Sequence, residues 1–318
     1  AGSIMTVEFL GLNQNLDREH ALSRIRSIGR NKETVLTTFV FDNQRKMVGT
    51  LNLDDLIFAR DGELVSDIMN QDFVTVGVNT DQEEVAQMFK DYDLNAIAVL
   101  NDDERLVGII TIDDIVDVIE EEATEDMSKL AGVTPLDNSY LETSVFKMAL
   151  KCAPWLICLL VLGTFSSMIL NKFEHALSCL PILVPFVTVL MDTGGNAGSQ
   201  SSVSVIRALS LNDIEFKDIF KVMWKESKVA ILCSITLALC NFLKLLIIDR
   251  IPLLVSLTVC LTLIVTIILA KLIGCTLPMI AKKLKFDPAV MASPFITTIV
   301  DACSLLIYFY IAKLLLGI

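Results

Sequence analysis

The second half of the chain holds five apolar segments, at about residues 152–170, 181–209, 229–248, 253–280 and 289–316. Each reaches the ~20 residues a helix needs to cross a bilayer. Inside lipid every backbone N–H and C=O must be satisfied within the protein, so such segments have to be helical. This one feature excludes a wholly soluble fold and predicts a five-helix membrane domain over 149–318. It also predicts an orientation. Lys147, Lys151, Arg207, Lys217, Lys221, Lys225, Lys228, Lys282, Lys283 and Lys285 fall on one side of the spans, and only Lys172 and Arg250 on the other. The positive-inside rule places the first half in the cytoplasm and the C-terminus outside. Lys244 and Lys313 lie near outer span ends, where their stems can snorkel.

The first half is unlike the second. Residues 1–140 carry 28 acidic against 11 basic side chains, and the remainder 10 against 15. An acidic surface argues against nucleic acid, which needs cationic groups to neutralise phosphates, and suits cations. All eight cysteines lie in the membrane half, in no metal-ligand spacing, and read as small buried hydrophobes. With no signal peptide and Ala1 as its first residue, the sequence reads as a fragment.

The acidic half is a repeat. "SIMTVEFLGLNQNLDREHAL" closing with "KMVGTLNLDDLI" matches "DIMNQDFVTVGVNTDQEEVA" closing with "RLVGIITIDDIV". Each copy has a strand, an acidic helix start (Asp17, Asp81), a strand pair around a turn, and a closing helix. The pattern resembles a tandem pair of CBS domains, with boundaries at 1–64 and 65–122. Such modules often bind adenosine nucleotides through T-x-x-D at the last strand–helix junction. Here that is Thr111 and Asp114 in copy two, and only Asn52 and Asp55 in copy one. The alternative is a carboxylate that caps a helix.

Residues 112–131, "IDDIVDVIEEEATEDMSKLA", form a helix of extreme acidity. Like charges three or four apart weaken a helix. With almost no Lys or Arg nearby, the run reads either as a solvated face or as a site for a hard divalent cation. It begins an acidic connecting helix, expected over 123–148, between the two halves.

Two aspartates fall at membrane depth, Asp192 and Asp301, and an ionisable group there is a functional candidate. Ser293, Thr297, Thr298 and Asp301 recur at helical spacing and give the last span one polar stripe. A stripe with no basic partner in any span should face water or a cation path. In "DTGGNAGSQSS", Gly194, Gly195 and Gly198 permit either a break whose free carbonyls meet an ion, or close helix packing.

Taken together, the CBS tandem, "EEEATEDMSKL", "TGGNAGSQS", "IRAL" and the "DPA…SP…D…LLIY" of the last span resemble the MgtE family of magnesium channels across essentially the whole chain. The resemblance implies an α+β cytosolic CBS pair followed by an all-α domain of five transmembrane helices, in the plasma membrane. It implies a homodimer in lipid, with one pore on its axis lined by spans 2 and 5 and a central Mg²⁺ site at Asp301. Thr297 through its carbonyl, Thr298, Gly195 and Asn196 belong to the same lining. Ser199 and Ser293 stand where the family's pattern has Asn, which shortens two polar side chains. The family's acidic N-terminal domain is absent from the sequence. The resemblance further implies that cytosolic Mg²⁺ closes the pore by bridging Asp93, Asp114, Asp117, Glu122, Glu125, Asp126 and Asp287. An adenosine nucleotide such as ATP is the implied second ligand, at Thr111 and Asp114.

Other readings compete. Asp192-Thr193-Gly194 spells an aspartic-protease triplet, but no second triplet accompanies it. A carrier coupling Mg²⁺ to Na⁺ or H⁺ would also use a broken helix. A metal sensor without transport is the third.

Overall fold

The repeat folds into two small sheets with the same strand order. The computed structural model describes residues 1–135, 140–291 and 293–317, and only the backbone at 175, 176, 291 and 293. The chain divides into two units, Ala1–Ala123 and Thr124–Ile318. In the first, β1 (Gly11–Asn13), α1 (Arg18–Ile28), β2 (Thr37–Phe41), β3 (Met47–Asn52) and α2 (Leu53–Phe58) form one copy. The second copy comprises α3 (Val65–Ile68), β4 (Thr75–Gly77), α4 (Gln82–Tyr92), β5 (Ala96–Leu100), β6 (Leu106–Thr111) and the start of α5 (Ile112–Leu130). In each sheet the first strand runs parallel to the second, which pairs antiparallel with the third.

Local chemistry repeats with the fold. The Asp17 and Asp81 carboxylates accept from the His20 and Glu83 amides and so cap α1 and α4. At the β2–β3 turn Asp42 accepts from the Gln44 and Lys46 amides, at 2.8 Å each. At the β5–β6 turn Asn101 does the same for Asp103 and Arg105, at 3.1 and 2.9 Å.

The two copies exchange their first segments. Thr6 bridges to Ile109 on β6, and Asn70 bridges to Thr50 on β3. The crossings are tight: a Cβ on Gly49 would lie 2.8 Å from the Asn70 carbonyl oxygen, and one on Gly108 2.8 Å from that of Thr6. Ile4 and Met5 therefore pack with Val76, Val85 and Ile110 of the second core. Val65, Ile68 and Met69 pack with Leu10, Leu12 and Leu51 of the first.

The second unit is helical: α6 (Val145–Lys172), α7 (Glu174–Cys179), α8 (Val184–Ser210), α9 (Ile219–Ile247), α10 (Leu253–Lys283) and α11 (Ser293–Leu316). Among the described residues four helical stretches, Val145–Lys172, Phe216–Ile247, Leu253–Lys283 and Pro294–Leu316, are long and apolar enough to cross a membrane. At 27 residues α8 has the length as well, but the polar run from Asp192 to Ser202 dilutes its hydropathy. α10 is central, with 56% of its most apolar window buried; none of that of α6 is.

Three expectations need correction. First, α8 does not break: Asp192 to Ser202 is continuous helix. Its glycines serve close packing. A Cβ on Gly274 would lie 2.2 Å from the Gly198 carbonyl oxygen, so α8 and α10 touch backbone to backbone. Second, α9 starts ten residues earlier than hydropathy indicates and carries Glu226 on the helix. Third, the spans do contain a base, because Lys271 is buried in α10.

Tyr308, from the "LLIY" of α11, is fully buried and donates from its hydroxyl to the Leu183 carbonyl at 3.0 Å. Tyr308→Phe leaves that carbonyl without its donor. We expect a loss of about 1 kcal/mol in unfolding free energy, read by thermal melting in detergent.

Candidate ion site

α8 and α11 meet at residues the sequence marks as candidates for an ion site. Gly195 faces α11 with no side chain between: a Cβ there would lie 3.1 Å from Thr297 Cγ2 and 3.7 Å from Asp301 Oδ1. Asp301 and Thr297 are half-buried, and Asn196, the next residue on α8, is exposed. The hydroxyls of Thr297 and Thr298 both donate to the Pro294 carbonyl at 2.9 Å. Each keeps oxygen lone pairs for a further donor, such as a water on a hydrated ion. Ser199 is half-buried one turn from Asn196. Ser293 opens α11, and its side chain lies outside the described residues.

The rest of α8 divides sharply. Asp192, Asn196, Gln200, Ser204 and Arg207 are exposed and recur every three or four residues. Gly194, Gly198, Ser201, Ser202 and Val205 are buried on the opposite face. A polar stripe on a membrane-length helix is costly against lipid, so it must meet water or protein.

The carboxylates expected from the sequence to hold a regulatory Mg²⁺ are only partly brought together. In the first unit, Thr111 donates to Asp114 at 2.8 Å. Glu122 accepts from the Gln82 amide group at 2.6 Å. Asp114 and Asp117 line a cleft of about 380 Å³ with Glu33, Glu121 and residues 3–6. Asp93 is exposed and sits at the C-terminus of α4 with φ 49°, a left-handed position that favours Gly or Asn. In the second unit, Glu125 and Asp287 are joined by a cation the sequence reading missed. Lys129 lies 2.5 Å from Glu125 Oε1 and 2.6 Å from Asp287 Oδ2. The Glu125–Lys129 spacing of four was visible in the sequence as a helix ion pair. Asp126 follows Glu125 on α5, which ends at Leu130; residues 131–135 are not helical, so the expected connecting helix over 123–148 does not run through, and 136–139 lie outside the described residues. Among the described residues no three carboxylate, His or Cys groups are grouped to hold a metal ion.

Burial opposes the charge on Lys129, but its hydrogen bonds to Asp287 and Glu125 outweigh it and hold its pKa above the ordinary 10.5. A lysine pKa raised by folding stabilises fully below 10.5, and the contribution is lost only as pH climbs past the folded value. The contact is therefore intact throughout the physiological range.

A second polar cluster, also missed, lies behind α8. Glu226 of α9 and Lys271 of α10 face each other at 3.7 Å. Ser201 donates to Glu226 Oε2 at 2.7 Å and lies 3.1 Å from the Lys271 carbonyl oxygen. Lys271 in the middle of an apolar segment was the readable signal.

Paired CBS-type sheets and a bundle of membrane-length helices with one polar stripe define a membrane protein that carries a CBS module. Comparison with known proteins makes this specific. The MgtE family, described as divalent cation transporters, matches residues 187–311, and the CBS domain family matches 65–121. The chain is 38% identical over 316 residues to the magnesium transporter MgtE of Thermus thermophilus, covering 99% of this chain and 70% of that one. It is 36% identical over 319 residues to the magnesium transporter MgtE of Enterococcus faecalis, covering 99% and 68%. A solved cytosolic domain of the Mg²⁺ channel MgtE in complex with ATP is 39% identical, covering 37% of this chain and 48% of that one, with a TM-score of 0.37. The chain belongs to the MgtE family. It is thus a membrane transport protein and not an enzyme, and the Asp192-Thr193-Gly194 triplet is no protease signature.

Proposed function

We propose that the chain forms a Mg²⁺ channel in the plasma membrane, with its ion path along the polar face of α8 and past Asp301. The observation that carries this reading is the stripe Asp192, Asn196, Gln200, Ser204 and Arg207, exposed on a helix whose other face is buried. A second copy of the chain, related by a two-fold axis, would cover the stripe and leave water between the two α8 helices. Lipid would then meet the apolar surface of α6. The CBS half is cytoplasmic and the C-terminus outside, following the lysine asymmetry.

Mg²⁺ gives up its water reluctantly. The carboxylate of Asp301, the short side chains beside it and the exposed amide of Asn196 suit an ion read with its hydration shell on. A Mg²⁺–carboxylate distance of about 2.1 Å at Asp301 would count against this.

Cytosolic Mg²⁺ closes the channel through the carboxylates around the connector, and Lys129 is its built-in competitor. With Mg²⁺ scarce, one ammonium joins Glu125 to Asp287 and leaves the trio at net −1. A divalent ion satisfies the same oxygens with twice the charge. Lys129→Met removes the competitor. Half-closure of flux should then need about tenfold less internal Mg²⁺, a shift worth about 1.4 kcal/mol. An unchanged or higher half-closing concentration would sink this part of the account.

The cleft beside Asp114 accommodates an adenosine nucleotide, with the carboxylate accepting from ribose hydroxyls. Glu33, Asp117 and Glu121 also face it, so the phosphates need a companion cation such as Mg²⁺. The proposal as a whole is tested by purified protein in liposomes. Mg²⁺ entry with unitary currents supports a channel, and entry without currents that depends on Na⁺ or H⁺ supports the carrier.

A further inference from the structure

We infer that Ser201, Glu226 and Lys271 form a positioning network that sets the rotation of α8 and, through it, which divalent ions the α8–α11 cluster passes. The inference rests on the reading of that cluster as the ion path.

Both charges are deep in the helical bundle. The side chain of Lys271 is 7% exposed and that of Glu226 14%. Lys271 stands 12 residues before the end of α10, about 18 Å along its axis. A buried ion pair is a weak source of stability, because desolvation offsets its attraction, and an apolar pair of the same size often serves as well. Stability alone therefore does not account for it. Its geometry offers another role. Ser201, 1% exposed, is held at once by the Glu226 carboxylate of α9 and near the Lys271 backbone carbonyl of α10. It lies five residues beyond Asn196, on the back of the helix whose front carries the polar stripe.

The seam between α8 and α10 explains why such a hold is needed. Gly198 meets Gly274 and the Ala270 carbonyl without a side chain between them. Backbone on backbone gives close approach but few knobs to resist rotation. A directional hydrogen bond to a carboxylate does resist it. The Glu226 carboxyl group, which accepts from Ser201, is in turn faced by Lys271 Nζ of α10 at 3.7 Å. If α8 turns, Asn196 and Gly195 move relative to Thr297 and Asp301, and the width and polarity of the lining change together.

Four proteins in liposomes test this: wild type, Ser201→Ala, the double variant Glu226→Gln/Lys271→Met, and that double variant with Ser201→Ala added. The readouts are uptake of Mg²⁺ and of Co²⁺, and the melting temperature. Ser201→Ala removes the tether without burying anything new. Its Mg²⁺:Co²⁺ uptake ratio should change at least fivefold, with a melting temperature within a few degrees of wild type. The double variant removes both charges but keeps an amide oxygen for Ser201 to bond. It should hold the wild-type ratio within twofold, whereas Ser201→Ala in that background should lose it. A wild-type ratio in Ser201→Ala overturns the inference, as does an equal change in the double variant. Should Ser201→Ala fold poorly, the double variant with and without Ser201→Cys gives the same comparison. Wild type that takes up no divalent ion instead overturns the ion-path reading on which this rests. Uptake that depends on Asp301 but not on Ser201 overturns the network alone.

Discussion

Asp301→Asn cuts Mg²⁺ uptake into liposomes at least tenfold while the protein melts no earlier than wild type. The two halves of this expectation have one cause. A half-buried carboxylate on a membrane helix is held against its desolvation cost, so replacing it with an amide of the same shape removes a penalty. The same replacement removes the full negative charge that attracts a dication into a low-dielectric passage. Tenfold in rate needs only about 1.4 kcal/mol, a small part of what a carboxylate offers Mg²⁺ in such a setting. Loss of uptake with a matching loss of stability would mean that Asp301 serves the fold. Uptake unaffected by the change would remove Asp301 from the ion path.

Gly274→Val is expected to be the most damaging single change in the bundle. Its first added carbon would sit 2.2 Å from the Gly198 carbonyl oxygen and 3.0 Å from the Gly198 carbonyl carbon. Neither atom belongs to a side chain that can swing away. α8 and α10 must separate, and the separation opens the packing around Ile267, Ala270 and Val300. Overpacking of this kind costs about 3 kcal/mol or more. Thermal melting in detergent should fall by many degrees, or the protein should fail to accumulate. Gly163→Val, on α6 where a Cβ meets nothing within 4 Å, is the control and should leave melting nearly unchanged. Equal behaviour of the two variants would contradict the backbone-to-backbone seam.

Much of this architecture is legible in the residues. The CBS-type pair is visible because its devices are local: Asp17 and Asp81 cap helices, and Asp42 and Asn101 fold turns of the same design. The exchange of first segments is not local. Thr6 pairs with Ile109 across about a hundred residues, and no periodicity in either stretch announces a partner so distant. In the membrane half, hydropathy locates helices but misplaces their ends. Lys221, Lys225 and Lys228 lower the average of α9, yet lysine stems can run along a helix to water, so the helix continues and carries Glu226 with it. The glycines of α8 permit two conformations in isolation. The proximity of Gly274 decides between them, and that is a tertiary fact. Asp301, Thr297 and Gly195 do converge, because their helical spacings place them on facing stripes. The many acids of α5 obscure its one base, Lys129, which pairs with Glu125 at the helical spacing of four. The remaining candidate carboxylates are spread through the sequence, and spacing alone does not say which of them come together in the fold.

The central claim is a Mg²⁺ path closed by Mg²⁺ on the cytoplasmic face. The most direct measurement is Mg²⁺ uptake by wild-type protein in oriented liposomes, with Mg²⁺ on the CBS side set either low or high. The account predicts rapid uptake at low Mg²⁺ and strong suppression at high Mg²⁺, beyond the effect of the reduced gradient. Uptake that follows the gradient alone at both settings would contradict it.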